Sequence, residues 1–138
     1  MNGVAVILQL LSADAGVTGL IDPDALPSRI SGDVLGQGVV LPAIEVELVS
    51  SVDRNILSPG GARHVQDRVT VRGHAATVPD LAALMKAIKT ACADQMPEIA
   101  GLAAITVHTD GAGPQGISPA TMARARTQDF LVRYSEAT

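Results

Sequence analysis

Few residues in this 138-residue chain have the type and spacing to do chemistry. Gly111-Ala112-Gly113-Pro114-Gln115-Gly116 has the G-x-G-x-x-G spacing that cradles a pyrophosphate, and it follows a predicted strand. That chemistry requires a helix opening at the motif, so that its N-terminal N–H groups receive the anion. Pro114 and Pro119 break the segment and another predicted strand follows soon after, so the motif reads as a loop. His64, His74 and His108 are the possible metal ligands. His64 and His74 fall on one predicted strand, about 33 Å apart if it is extended, and cannot share an ion. No ligand spacing joins any of the three, and they read as surface or edge histidines. The single cysteine, Cys92, excludes an internal disulfide and a cysteine-built zinc site. It falls on the apolar face of a predicted helix, where a small buried hydrophobe is expected rather than a nucleophile. Asp80, Asp94 and Glu98 read as solvated acids, Asp80 at a helix start. No nucleophile-elbow signature is present. The residues therefore point to no catalytic group, no metal ligand and no cofactor.

Composition narrows the function classes further. The length suits one domain, 1–138, and the formal charge of −4 gives no broad basic face for nucleic acid. Phe130 and Tyr134 are the only aromatics, which excludes a base-stacking platform. Hydrophobic residues make up 47%, charged residues only 17%, and mean hydropathy is +0.30. That is apolar for a lone domain of this size and suggests contacts between subunits. The start lacks the basic region of a signal peptide, and the apolar run Val4–Leu11 is too short to span a bilayer, so an unexported protein with no membrane partner is expected.

The elements that must position any site follow from periodicity. Val4, Ile7, Leu8 and Leu11 predict a helix over residues 3–12, and Ser12 is the expected cap of a further turn ending near Gly19. Residues 22–38 read as a long loop broken by Pro and Gly, with a brief extended piece at Ser28-Arg29-Ile30. Ile44, Val46 and Leu48 alternate with Glu45 and Glu47, and Val65, Val69 and Val71 alternate with Gln66, Arg68, Thr70 and Arg72. These two strands form a hairpin, and if Glu45 and Glu47 share a face with Arg68 and Arg72, cross-strand charge pairs would fix its register. Thr77, Pro79 and Asp80 open a helix through Leu81, Leu84, Met85, Ile88 and Cys92, closed by Pro97. Strands follow at 102–109 and 127–135, separated by a Gly/Pro-rich loop at 110–119 and a helical turn at 120–123. The expected fold is α+β: a mostly antiparallel four-stranded sheet with a long hairpin arm, and helices packed on one face.

The hairpin tip is the candidate interaction site. Arg54, Asn55, Ile56, Leu57, Pro59 and Arg63 surround a Ser-Pro-Gly-Gly sequence suited to a type II turn. Its apolar pair either folds back on its own sheet or docks on another chain.

Several phrases in order resemble the tail completion, or tail terminator, proteins of long-tailed bacteriophages. They are Leu10-Leu11-Ser12-Ala13-Asp14-Ala15-Gly16-Val17-Thr18-Gly19-Leu20, then Arg29-Ile30, then Leu41-Pro42-Ala43-Ile44. Val69-Thr70-Val71, Leu81-Ala82-Ala83-Leu84 and Arg126-Thr127-Gln128-Asp129-Phe130 complete the pattern across nearly the whole chain. The segment 110–119 departs from it, being longer than the usual last hairpin. The resemblance implies a structural, cofactor-free subunit of a phage or a gene transfer agent, made in the host cytoplasm and placed at the head-proximal end of the tail. It would form a ring, usually a hexamer, with copies of itself. That ring would contact the major tail tube protein below and a head–tail connector or stopper above, end tube polymerisation, and let genome DNA pass without specific binding. The rival readings are another head–tail connector or stopper protein, and a small ligand-binding α+β domain, which would require a concave pocket with convergent polar groups.

Overall fold

The computed structural model describes residues 2–21, 30–32, 41–54, 62–114, 116–117 and 123–137. In chain order its elements are α1 (Asn2–Ala13), α2 (Ala15–Thr18), β1 (Ile30–Ser31), β2 (Ala43–Arg54), β3 (Ala62–Ala75), α3 (Val78–Cys92), β4 (Leu102–Ala112), β5 (Gly116–Ile117) and β6 (Arg124–Ala137). The strands form one sheet in the order β1-β2-β3-β6-β4, with β5 pairing β6. All neighbours are antiparallel except β1 and β2. The sheet thus has six strands rather than four. The extra two, Ile30–Ser31 and Gly116–Ile117, span two residues each, too short to carry an alternation.

The hairpin also differs from a free arm. β2 pairs β3 from Ala43 opposite His74 to Arg54 opposite His64. β6 flanks β3 along its whole length, from Ala62 opposite Ala137 to Ala75 opposite Arg124. β2 and β6 thus both flank β3 as far as His64, and β6 continues beside it to Ala62. Asn55, Ile56, Leu57 and Pro59, with the expected type II turn, lie outside the described residues.

The odd-numbered residues of β3 face the helices. Val65, Val69 and Val71 join Ile44 and Val46 of β2 and Phe130, Val132 and Tyr134 of β6 in one core. Val4, Ile7 and Leu11 of α1 and Leu81, Leu84, Ile88 and Cys92 of α3 close it from one side. Each fully buried aliphatic side chain contributes about 1.5–3 kcal/mol, which is how a core with a single Phe holds together. Gly73 continues this face of β3: a Cβ there would sit 2.7 Å from Met85 Sδ and 3.1 Å from Leu84 Cδ2, so its absence lets α3 lie close on the sheet.

The helix ends bear out one expectation and revise two. Thr77 Oγ1 accepts from the Asp80 N–H at 3.3 Å, and a proline lies in the first turn of α3. That helix ends at Cys92, before Pro97, and Asp94 takes a positive φ of 57°. Asp14, not Ser12, caps α2, its carboxylate accepting from the Val17 N–H at 3.1 Å. No helix among the described residues is long and apolar enough to cross a membrane.

Candidate functional site

With the helices on the odd face of β3, its even residues form the opposite face of the sheet. His64, Gln66, Arg68, Thr70 and Arg72 are exposed or half-exposed there, and no helix among the described residues covers them. The face is polar and largely satisfied within itself. Arg68 reaches Asp129 at 3.0 Å and Asp110 at 3.3 Å. Thr70 Oγ1 donates to the other Asp129 oxygen at 2.7 Å, and Arg133 Nε donates to Gln66 Oε1 at 3.0 Å. His64 Nδ1 lies 2.6 Å from Ser135 Oγ. Arginines bound to carboxylates of their own sheet offer weaker attraction to a phosphate than free ones.

The expected pairing of Glu45 and Glu47 with Arg68 and Arg72 is not what forms. Glu45 stands opposite Arg72 in register, yet its Oε1 lies 2.6 Å from His74 Nε2, where the ring N–H donates to the carboxylate. Arg68 stands opposite Ser50, past a β-bulge between Leu48 and Ser50, and binds carboxylates of β6 and β4 instead. His74 is also not a surface histidine. It is 1% exposed, with Nδ1 lacking a hydrogen-bond partner.

The other candidates fall as follows. His64 and His108 are exposed, and His108 Nδ1 lies 3.4 Å from Asp94 Oδ1. Among the described residues no three His, Cys, Asp or Glu side chains come together as a metal site. The G-x-G-x-x-G segment opens no helix: Gly111 and Ala112 belong to β4, Gly113 donates its N–H to the Thr127 carbonyl at 2.9 Å, and Gly116 belongs to β5. The expected loop is thus partly strand. Of the helical turn placed at 120–123, Ala123 is described and is not helical, and the rest lies outside the described residues. Cys92 is buried, and loss of hydration, with the Asp14 charge second, pushes its thiol up to about 12. A thiol that stays protonated is a poor nucleophile. Asp80, Asp94 and Glu98 are exposed, as expected.

At the hairpin end Arg63 bonds Asp53 at 2.9 Å, both side chains about half exposed. Arg54 ends β2. The structure also shows an open cavity of about 540 Å³ lined by residues 97–105. Nine consecutive residues line it, and Glu98 is the single charged one among them.

Sequence reasoning missed one residue entirely. Asp67, fully buried at the centre of β3, accepts from the Tyr134 hydroxyl and the Gly3 N–H, both at 2.9 Å. Its signal was its place in the Val65-Val69-Val71 alternation, where a charge must find internal partners.

The family described as Tail completion protein gp17 matches residues 5–133. No curated protein matches the sequence. Among solved structures, a chain from the virion of a native gene transfer agent particle has the same fold, with a TM-score of 0.60 at 18% identity. The match covers 96% of this chain and 93% of that one.

Proposed function

The chain belongs to the tail completion protein gp17 family, a structural component of the phage or gene transfer agent virion, and we propose that it closes the head-proximal end of the tail tube as a ring, hexameric by expectation. The family match over residues 5–133 is the observation that carries this reading. The geometry supports it physically. A growing tube presents an unpaired surface to each incoming ring, and a terminating subunit must match that surface on one side and differ on the other. The two ends of the sheet differ, one carrying the β2–β3 hairpin and the other the entry into α3, and so supply two unlike surfaces, while the polar face is left for the lumen. Closure into a ring needs heterologous contacts, one patch meeting a different patch on the next copy.

Under this reading the partners are further copies of the chain, the major tail tube protein and a head–tail connector or stopper, and the role is mechanical rather than enzymatic. The apolar composition fits as well. Two contacts of about 800 Å² per partner would remove roughly a quarter of the about 6,700 Å² expected for a domain of this mass. DNA would pass a lumen in which Arg68 is occupied by Asp129 and Asp110 and the formal charge of the chain is −4, and so would not adhere.

Mass photometry of the purified chain, alone and with the tail tube protein, tests the reading. Rings alone or on tube ends, and tubes of limited length in electron micrographs, are the expected result. A monomer that leaves tube growth unlimited would overturn it. Co-purification with the portal side but not the tube would favour a stopper instead.

A further inference from the structure

The polar face of the sheet is divided by charge along its strands. Toward the entry into α3 it carries Glu45, Glu47, Asp110 and Asp129 against Arg68 and Arg72. Toward the hairpin, Val52 stands opposite Gln66, Gln66 opposite Arg133, and Arg133 opposite Thr106. His64 faces Ser135 in the row on one side of these, and Arg68, Leu131 and His108 share the row on the other. No Asp or Glu stands on this face in the three rows. The nearest acids lie off it: Asp53 and Glu136 belong to the helix-facing sets of their strands, with Asp53 bound to Arg63, and Asp94 lies past β4, 3.4 Å from His108. Arg133 is exposed and none of the ion pairs among the described residues includes it. Its Nε donates to Gln66 Oε1 at 3.0 Å, which orients the guanidinium and leaves its two terminal nitrogens open.

We propose that Arg133 is the residue with which this face touches the phosphate backbone of duplex DNA. The proposal rests on the reading above, in which the polar face lines the lumen, and names the contact made there. A guanidinium fixed through Nε presents its terminal nitrogens as a fork that matches two oxygens of one phosphate. Arg68 cannot do the same, because Asp129 and Asp110 already hold it. The carboxylates of the other half repel the same backbone, so the charge division directs DNA to the level of Arg133. One such arginine per copy, on a chain of net charge −4, makes a contact that salt dissolves, so DNA is touched without being retained. A phosphate contact also reads no bases, and the binding has no sequence preference.

The test is fluorescence anisotropy of short labelled DNA duplexes of two unrelated sequences, titrated with the purified chain. Equal binding of both is expected at about 20 mM salt and its loss at about 200 mM. Arg133→Gln should weaken the low-salt binding by about fivefold or more and lower the salt slope by about 1 per bound copy, with circular dichroism unchanged. Glu47→Gln, which removes an exposed acid from the repelling half, should tighten it. As a second measurement, the Nε–H signal of Arg133 should shift in nuclear magnetic resonance spectra on adding the duplex. No binding at low salt, or unchanged binding by Arg133→Gln, would overturn the proposal. So would shifts centred on Lys86, Lys89, Arg124 or Arg126, which lie off the polar face. Mass photometry of the same samples separates the two readings. Rings that bind no DNA would overturn the contact and leave the ring intact, whereas chains that bind through Arg133 but never form rings would support the contact and overturn the ring.

Discussion

The carboxylate of Asp67, on the helix-facing side of β3, accepts a hydrogen bond from the backbone N–H of Gly3 at 2.9 Å. A side chain in the middle of a sheet thereby caps a helix 64 residues away in sequence. The approach requires glycine, because a Cβ on residue 3 would lie 2.7 Å from both Asp67 Cβ and Oδ2. The same Oδ2 accepts from the Tyr134 hydroxyl, so three elements meet at one buried oxygen, while Oδ1 has no hydrogen-bond partner.

This pairing predicts a ranked set of losses. Tyr134→Phe removes one hydrogen bond to a buried charge and is expected to cost about 1–2 kcal/mol. Asp67→Ala removes the cap and strands both donors, at about 2–3 kcal/mol. Gly3→Ala forces Asp67 aside, at about 1–3 kcal/mol. Urea unfolding of the three variants checks the order. Equal stability of Asp67→Ala and wild type would show that the carboxylate does not anchor α1.

Burial of Cys92 predicts a pH dependence. Its folded-state thiol is pushed up to about 12 from an ordinary 9.0, first by lost hydration and then by the Asp14 charge. Between those values the unfolded chain releases a proton that the folded chain keeps, so the unfolded state binds fewer protons and stability falls as pH rises above about 9. Cys92→Ala should flatten that slope. In the native protein at pH 8 a thiol reagent should react at the rate of unfolding, and rapid stoichiometric labelling would contradict the burial.

How much of this was legible depended on whether a signal was local. The Val65-Val69-Val71 alternation fixed which face of β3 is buried, and the Thr77-Pro79-Asp80 phrase fixed where α3 begins, because each is a property of neighbouring residues. Asp67 sits in that same alternation and was passed over, since its partners Gly3 and Tyr134 are distant in sequence. Glu45 stands opposite Arg72, but the carboxylate's preference for His74 depends on side-chain reach, and Arg68 lies past a bulge that no alternation announces. The free edges are less legible still. Val52 lies on β2, which among the described residues β1 pairs only at Ile44 and Glu45, and Met96 follows the single bridge of Gln95 to Val107 beside β4. Strand order, not composition, decides both.

The polar face predicts an unequal pair of effects. Arg68 is 44% exposed in its side chain, and its ion pairs sit in a screened setting worth about 0–1 kcal/mol. Asp129 is less exposed and also holds Thr70 Oγ1 at 2.7 Å, so its removal leaves Thr70 unmatched and Arg68 with Asp110 alone. Asp129→Ala is therefore expected to lower the melting temperature more than Arg68→Ala, and the Arg68 effect should shrink in high salt. If the Arg68 variant proved the worse of the two and insensitive to salt, the network would not be electrostatic in origin.

The hairpin tip gives the last prediction, and it separates assembly from folding. The β3–β6 ladder ends at Ala62, and the Arg63–Asp53 bond closes the described ribbon there. Ile56 and Leu57 lie beyond that point in the chain, on a segment whose apolar residues either cover their own sheet or contact another subunit. The ring reading favours the second. Under that reading, replacing both with Asp should leave the melting temperature within about 2 °C, the scale of a surface change. The same variant should lose ring formation or the capping of tubes, since burying two carboxylates in an intersubunit contact carries a large desolvation cost. Intact rings on capped tubes, seen in electron micrographs of Ile56→Asp with Leu57→Asp, would remove Arg54, Asn55, Ile56, Leu57, Pro59 and Arg63 from the interface. A large fall in melting temperature would place the tip on its own sheet instead.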